Sequence, residues 1–204
     1  MIWWMLIPAY FLGTFPSAVM IARSKGVDIT KVGSGNPGAS NIARTFGAKW
    51  GVLVFVLDGL KGLIPCSIAL LFAGRFFSGH PTGPAYGMAV AAVLGHMYPI
   101  TRRFKGGKGV ATMGGACIVL QPLIFVVLTA VWFAVRKLTG KASLASLMLT
   151  FGFPLGVFLL GGPGWEIAIA GALGGLVLLR HTDNIKRLLT GAELSASRNS
   201  QAAE

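Results

Sequence analysis

Long apolar stretches alternate with short polar ones along this chain. A helix needs roughly 20 apolar residues to cross a bilayer. Six stretches approach or exceed that length: residues 3–22, 51–73, 84–100, 110–135, 142–160 and 165–179. All are rich in Gly, Ala and Ser, which let helices in a membrane approach closely. Residues 161–164, Gly-Gly-Pro-Gly, have turn chemistry. The first 22 residues lack a basic leading region and an A-x-A cleavage pattern, so they read as a first span rather than a signal peptide.

The distribution of positive charge orients these spans. Basic residues concentrate in cytoplasmic loops of membrane proteins. Arg23, Lys25, Lys31, Arg44 and Lys49 follow the first span, Arg102, Arg103, Lys105 and Lys108 the third, and Arg180, Lys186 and Arg187 the last. Residues 74–83 carry only Arg75, and residues 161–164 carry no charge. The N-terminus is therefore expected outside. Arg136, Lys137 and Lys141 then raise a parity problem. A single crossing between Lys108 and Arg136 would put them, and the basic C-terminus, on the wrong side. An even number of crossings repairs both faults, yet about 27 residues of helix reach only ~40 Å, too short for two full spans. Gln121-Pro122 offers a break, so two short or re-entrant helices are expected, over 110–120 and 122–135. Such segments are tolerated where protein encloses them. The expected fold is an all-α integral membrane protein of about seven transmembrane or half-spanning helices, N-terminus outside and C-terminus cytoplasmic. Residues 1–194 are expected to form a single domain, and 195–204 a disordered tail.

Composition agrees. Of 204 residues, 54% are hydrophobic and 12% charged, against about 25% charged in soluble domains. Lys and Arg number 18 against 6 Asp and Glu, a net charge of +12. Because the cations sit between apolar runs, the expected partners are membrane lipids and anionic substrates, not nucleic acid. Cys66 and Cys117 lie in apolar runs and read as buried hydrophobes. The three His and six acidic residues are scattered, so neither a metal site nor a cofactor is expected.

Three polar segments fall on the basic side. The first is Gly33-Ser34-Gly35-Asn36-Pro37-Gly38-Ala39-Ser40-Asn41, closed by Arg44. Its glycines permit unusual backbone angles, and successive N–H groups can form an anion nest. Ser34, Asn36, Ser40 and Asn41 add neutral donors, and Arg44 a planar fork for phosphate. The second runs Gly95-His96-Met97-Tyr98-Pro99, then Phe104-Lys105-Gly106-Gly107-Lys108-Gly109-Val110-Ala111-Thr112. It lacks P-loop spacing, but two lysines among glycines before a helix N-terminus favour an anion. Ordinary loop charge accounts for Arg102 and Arg103. His96 taken alone reads as structural. The third is Arg180-His181-Thr182-Asp183-Asn184-Ile185-Lys186-Arg187, reaching Gly191 and Glu193. As a helix it puts His181 and Asn184 on one face, and Asp183 and Arg187 are placed to pair. Asp58 and Lys61 lie within the second span, three residues apart, and read as a structural or gating ion pair.

Together the three segments resemble the PlsY family, the bacterial acyl-phosphate:glycerol-3-phosphate acyltransferases, over nearly the whole chain. GSGNPGASNIAR resembles the first family motif, with Ser40 where Thr is usual. GHMYP and FKGGKGVAT resemble the second, with Tyr98 where Phe is usual, and RHTDNIKRLLTGAE the third. The resemblance implies acyl transfer from acyl phosphate to glycerol 3-phosphate, giving lysophosphatidic acid and phosphate at the cytoplasmic face of the bacterial inner membrane, by a monomer. It assigns Ser34, Arg44, a second-motif lysine (Lys105 or Lys108), His181 and Asn184 to the polar site. The remaining substrate contacts fall on Gly33, Gly35, Asn36, Gly38, Ser40, Asn41, His96, Gly106, Gly107, Gly109, Thr112 and Arg180. The proton acceptor is either His181 or the donor's own phosphate.

A transporter for organic phosphates would also carry Gly-rich loops and broken helices. Transporters place their sites near the midplane and often show repeats, whereas these motifs gather at one face and no repeat is evident. Cysteines placed near Thr139 and near Ser34 are expected to label from the cytoplasm, and one near Ser78 from outside. A position 139 that labels only from outside removes the broken-helix reading.

Overall fold

The computed structural model describes residues 2–76, 80 and 82–195. Ser78, and residues 196–204 of the expected tail, lie outside them. A short 3-10 turn, Ile2–Met5, leads into α1 (Leu6–Gly13) and α2 (Ser17–Arg23). The expected first span is thus two helices. Pro16 has no N–H to donate, and the Thr14–Phe15–Pro16 backbone leaves the helical path there. α3 (Ala39–Phe46) is a short amphipathic helix that buries Asn41 and Ile42. It rests on the start of α4 (Ala48–Phe76), the longest helix, and both share a small core with α2 made of Ala18, Val19, Ile29, Ile42 and Val54.

α5 (Gly83–Met97), α6 (Val110–Leu120) and α7 (Pro122–Thr139) follow. The break falls at Gln121-Pro122, where the sequence offered it. At 11 residues α6 rises only ~16 Å, about half the hydrocarbon thickness. α8 (Ala142–Leu159), α9 (Gly164–Leu179) and α10 (Thr182–Leu189) complete the chain. No strand occurs among the described residues. Four segments are long and apolar enough to span: Leu6–Arg23, Ala48–Ala73, Pro122–Thr139 and Ala142–Leu159. With α5, α6 and α9 they make seven membrane segments.

Small residues set the crossings. α1 meets α5 at Gly13 and Gly95, where a Cβ on either glycine would collide with a backbone carbonyl of the other helix. α4 meets α6 in the same way at Gly62 and Gly115. α7, by contrast, buries only Ile124 and leaves most of its surface to lipid.

The half-helix α6 ends on a polar knot that the sequence pattern does not reveal. Glu166, in the first turn of α9, is buried. Its carboxylate accepts hydrogen bonds from Thr82 (2.9 Å), Tyr86 (2.9 Å) and Gln121 (3.0 Å). Gln121 also donates to the Tyr86 hydroxyl at 3.2 Å. The residue that breaks the helix is therefore tied to α5 and α9. At the other end of the bundle Lys141 donates to the backbone carbonyl of Glu193. The α7–α8 loop thus lies at the same end as the third motif, as two crossings between Lys108 and Arg136 demand.

Glu166→Leu should strand the buried Tyr86 hydroxyl, at about 1–3 kcal/mol, and take an acceptor from the half-buried Thr82 and Gln121. Thermal unfolding in detergent should show a clear drop for this variant and a smaller one for Glu166→Gln, which keeps an acceptor. Wild-type unfolding of Glu166→Leu would mean that the knot does not hold the break.

Candidate functional site

Asn41 organises the first motif. Its side-chain carbonyl accepts from the Ser34 N–H (3.0 Å) and from Arg44 (3.4 Å), and its amide donates to the carbonyls of Val32 (2.9 Å) and Ile29 (3.3 Å). All four of its hydrogen-bonding positions are thereby used. Gly33 and Gly35 have left-handed backbones, and a Cβ on Gly33 would strike the Asn41 side chain. The result is a loop whose shape is held from behind by Asn41. Ser34, Asn36 and Gly38 lie half-buried on it, with the Ser34 hydroxyl accepting from the Asn36 N–H at 3.4 Å. Ser40 points to solvent.

The second motif folds back on the end of α5. The N–H groups of Gly106 and Gly107 donate to the carbonyls of Met97 (3.1 Å) and His96 (3.0 Å). The His96 ring packs against Gly107, so closely that no side chain fits there. Arg180 of the third motif clamps the loop from the other side, donating to the carbonyls of Gly106 (2.8 Å) and Gly107 (3.2 Å). Its guanidinium also lies 5.4 Å from the centre of the Tyr98 ring. That contact uses the ring face, which a Phe shares, so the departure at Tyr98 is accommodated. Gly109 caps α6 with a left-handed backbone, and Thr112 donates to the Asp58 carbonyl at 3.0 Å. His96, Gly109, Thr112 and Arg180 thus brace the loop.

Behind the loop lies the expected ion pair. Lys61 Nζ is 2.6 Å from Asp58 Oδ1, and both are buried. Ser17 of α2 donates to the same carboxylate oxygen, and Lys61 reaches His96 Nδ1 at 3.4 Å.

Lys108 and the third motif meet at the centre. Lys108 donates to Asn184, Asn184 donates to Glu193 at 2.7 Å, and Arg187 donates to Glu193 at 2.9 Å. This corrects the expected Asp183–Arg187 pair: Gly191, with a left-handed backbone, ends α10 and turns the chain so that Glu193 returns to take Arg187. Glu193 and the re-paired Arg187 are the participants that sequence spacing missed. The glycine after the helix was the available signal. Burial works against charge on Glu193, but the neighbouring Ser143 hydroxyl, the hydrogen bonds from Asn184 and Arg187 and the Arg187 charge outweigh it and hold the carboxyl below its usual range.

Arg44 completes the cluster. It lies within electrostatic reach of Glu193 and Arg187, and Lys108 feels Arg44 in turn. Its Nε is buried without a hydrogen-bond partner. Of the two second-motif lysines, Lys108 is half-buried in the cluster, whereas Lys105 is exposed. Burial, followed by the Arg187, Arg44 and Arg180 charges, pushes the Lys108 pKa down to about 8 against the pull of Glu193. His181, at the start of α10, sits 2.8 Å by Nδ1 from the Val177 carbonyl. A carbonyl only accepts, so Nδ1 carries the proton and Nε2 is the free acceptor. Burial and then the Lys108 charge lower the His181 pKa to about 4, which keeps the ring neutral at pH 7. Three cations, Arg44, Lys108 and Arg187, thus surround one carboxylate, Glu193, with Arg180 within electrostatic reach of Lys108. Such a cluster, with a buried N–H unused, is built for an anion. Among the described residues no three His, Cys, Asp or Glu side chains come together.

Known proteins match this chain along its length. The family model for glycerol-3-phosphate acyltransferase matches residues 3–191. A glycerol-3-phosphate acyltransferase from Aquifex aeolicus is 42% identical over 194 residues, covering 93% of this chain and 96% of its own. One from Thermotoga petrophila is 42% identical and covers 94% and 95%. A crystal structure of PlsY, an integral membrane glycerol 3-phosphate acyltransferase in its glycerol 3-phosphate form, superposes with a TM-score of 0.86 at 41% identity, covering 94% of each chain. Its lysophosphatidic acid form gives 0.83, covering 94% of this chain and 93% of its own. Matching in sequence over nearly its full length and in the arrangement of its helices, this chain belongs to the glycerol-3-phosphate acyltransferase family.

Proposed function

We propose that this protein transfers a fatty acyl group from acyl phosphate to glycerol 3-phosphate, giving lysophosphatidic acid and inorganic phosphate. The observation that carries the reading is the buried, unpartnered Nε of Arg44, set among cations contributed by all three motifs. Relatives named for the same acceptor support it. The site faces the cytoplasm of a bacterial inner membrane, with the N-terminus outside, and the positive-inside pattern argues for that orientation. Because the cluster is assembled within one chain, the unit of activity is a monomer. Residues 1–194 act as one catalytic domain, with no cofactor.

Arg44 and Lys108 hold phosphate, and the Ser34 hydroxyl and the Asn36 side-chain amide complete the cradle. Glycerol 3-phosphate is soluble and the acyl donor is lipid-like. A polar cluster at one end of an apolar bundle serves both. In the reaction the acceptor hydroxyl oxygen attacks the acyl carbonyl carbon. An ester C–O bond forms, the C–O bond to the donor's phosphate breaks, and phosphate leaves. Lys108 and Arg44 stabilise the charge that develops on the carbonyl and leaving oxygens. His181 Nε2 accepts a hydrogen bond from the attacking hydroxyl and aligns it. With a pKa near 4 the ring does not keep the proton, which ends on the departing phosphate. Asn184 passes the restraint of Glu193 to Lys108.

The donor is tested with purified protein, acyl phosphate, glycerol 3-phosphate and a chelator. Lysophosphatidic acid and phosphate should appear in equal amounts without coenzyme A or acyl carrier protein. Turnover with an acyl thioester but not with acyl phosphate overturns the donor assignment.

The pH dependence follows from Lys108. A lysine with a lowered pKa is charged below that value and loses its proton above it, here at about 8. Because kcat/KM reports the free enzyme, kcat/KM for glycerol 3-phosphate should fall as pH rises through about 8. Lys108→Arg should shift that fall to higher pH even if its rate is lower. An unchanged alkaline limb in Lys108→Arg removes Lys108 from phosphate binding.

A further inference from the structure

Where Pro16 interrupts the first span, the surface opens into a groove of about 440 Å³. Its inner wall is apolar, with Phe11, Leu12, Phe15 and Val19 from α1, the break and α2. Its rim carries Arg23, the last residue of α2, and Arg102, from the 3-10 turn after α5. None of the anion-cluster residues Arg44, Lys108, Arg187 and Glu193 lines it.

Three observations bear on what fills it. First, among the described residues neither guanidinium donates a side-chain hydrogen bond or forms an ion pair. The two cations are close enough to repel, and burial followed by the Arg23 charge lowers the pKa of Arg102. Asp28 attracts both but lies beyond ion-pair distance, with its carboxylate held by the Thr30 N–H (3.1 Å) and hydroxyl (2.7 Å). Like charges that line one groove call for an anion between them. Second, the apolar wall belongs to a membrane-spanning segment, so an occupant covering it carries hydrocarbon. A soluble anion would leave Phe11 and Phe15 bare. Third, Arg102 is followed by Arg103 and Phe104, two consecutive non-glycine residues with left-handed backbones, φ 50° and 61°. Such residues are held only where their surroundings over-determine them. This turn leads directly into Lys105-Gly106-Gly107-Lys108.

We propose that this groove seats an anionic phospholipid of the surrounding bilayer, its phosphate between Arg23 and Arg102 and its chains along Phe11 and Phe15, where it steadies the turn that carries the second motif. The site is accessory. It binds a lipid that is not consumed, and it couples membrane composition to the shape of the phosphate loop.

The test compares wild type with Arg23→Gln/Arg102→Gln, in nanodiscs of phosphatidylcholine alone or mixed with phosphatidylglycerol. Native mass spectrometry after extraction should find one phosphatidylglycerol retained by wild type in preference to phosphatidylcholine. The double variant should hold it about 30-fold more weakly, since each basic residue near an anionic surface contributes roughly fivefold. Wild type should also show a lower KM for glycerol 3-phosphate when phosphatidylglycerol is present, and the double variant should not respond. Its unfolding temperature, measured in parallel, should match wild type. Equal retention of both lipids would reduce the groove to ordinary lipid contact and overturn the proposal. So would displacement by millimolar inorganic phosphate, which would make the occupant a soluble anion. Displacement by acyl phosphate, with a loss of donor kcat/KM in the variant, would assign the groove to the donor instead. The binding arm does not depend on the reaction proposed above, so its failure and the failure of that reading are distinguishable.

Discussion

An ammonium and a carboxylate inside an apolar bundle survive only by satisfying each other. Lys61 and Asp58 do so at 2.6 Å, one helical turn apart on α4. Losing one partner of such a pair leaves the other charge buried and costs about 3–5 kcal/mol. The pair does more than neutralise itself. Ser17 brings α2 to the carboxylate, Thr112 brings α6 to the Asp58 carbonyl, and His96 brings α5 to the ammonium. His96 in turn backs Gly107, and its carbonyl takes the Gly107 N–H. The loop that carries Lys108 is therefore built against a surface whose position four helices share.

The same logic recurs at the opposite end. A half-length helix leaves backbone and side-chain polar groups to be satisfied where it stops. Gln121, Tyr86, Thr82 and Glu166 satisfy one another there, and α6 can stop short without orphaned donors. Because α6 stops halfway, its N-terminus and the start of α8 lie at the same end, and Lys141 can reach the carbonyl of Glu193. The Glu166 knot and the motif cluster are thus two consequences of one short helix.

In the first and third motifs, support and reactivity fall to different residues of the same motif. Asn41, Arg180 and Glu193 spend their hydrogen bonds on the loops, whereas Arg44 and His181 each keep a nitrogen free. The fixed polar groups need little rearrangement when an anion arrives, which is the condition for strong electrostatic stabilisation.

The sequence by itself determined the membrane class, the segments and the break at Gln121-Pro122. Apolar length, positive charge and a proline are local properties, and parity is arithmetic on them. It also marked the three polar segments, because Gly, Asn, Lys and Arg at a membrane surface stand out against apolar surroundings. Tertiary structure alone decided what each residue does. Lys105 and Lys108 each precede a glycine in one short loop, yet only Lys108 enters the cluster. Asp183 stood at helical spacing from Arg187, but the turn at Gly191 brought Glu193 instead. Glu166 gains its role only because the fold brings Tyr86 and Gln121 to it. The reason is physical. In a bilayer the lipid is as apolar as the protein interior, so these helices carry no polar stripe to say which face turns inward. Which side chains meet is then decided by close crossings at residues such as Gly13 and Gly62 and by the few polar groups that must find one another, and neither is written in the pattern along the chain.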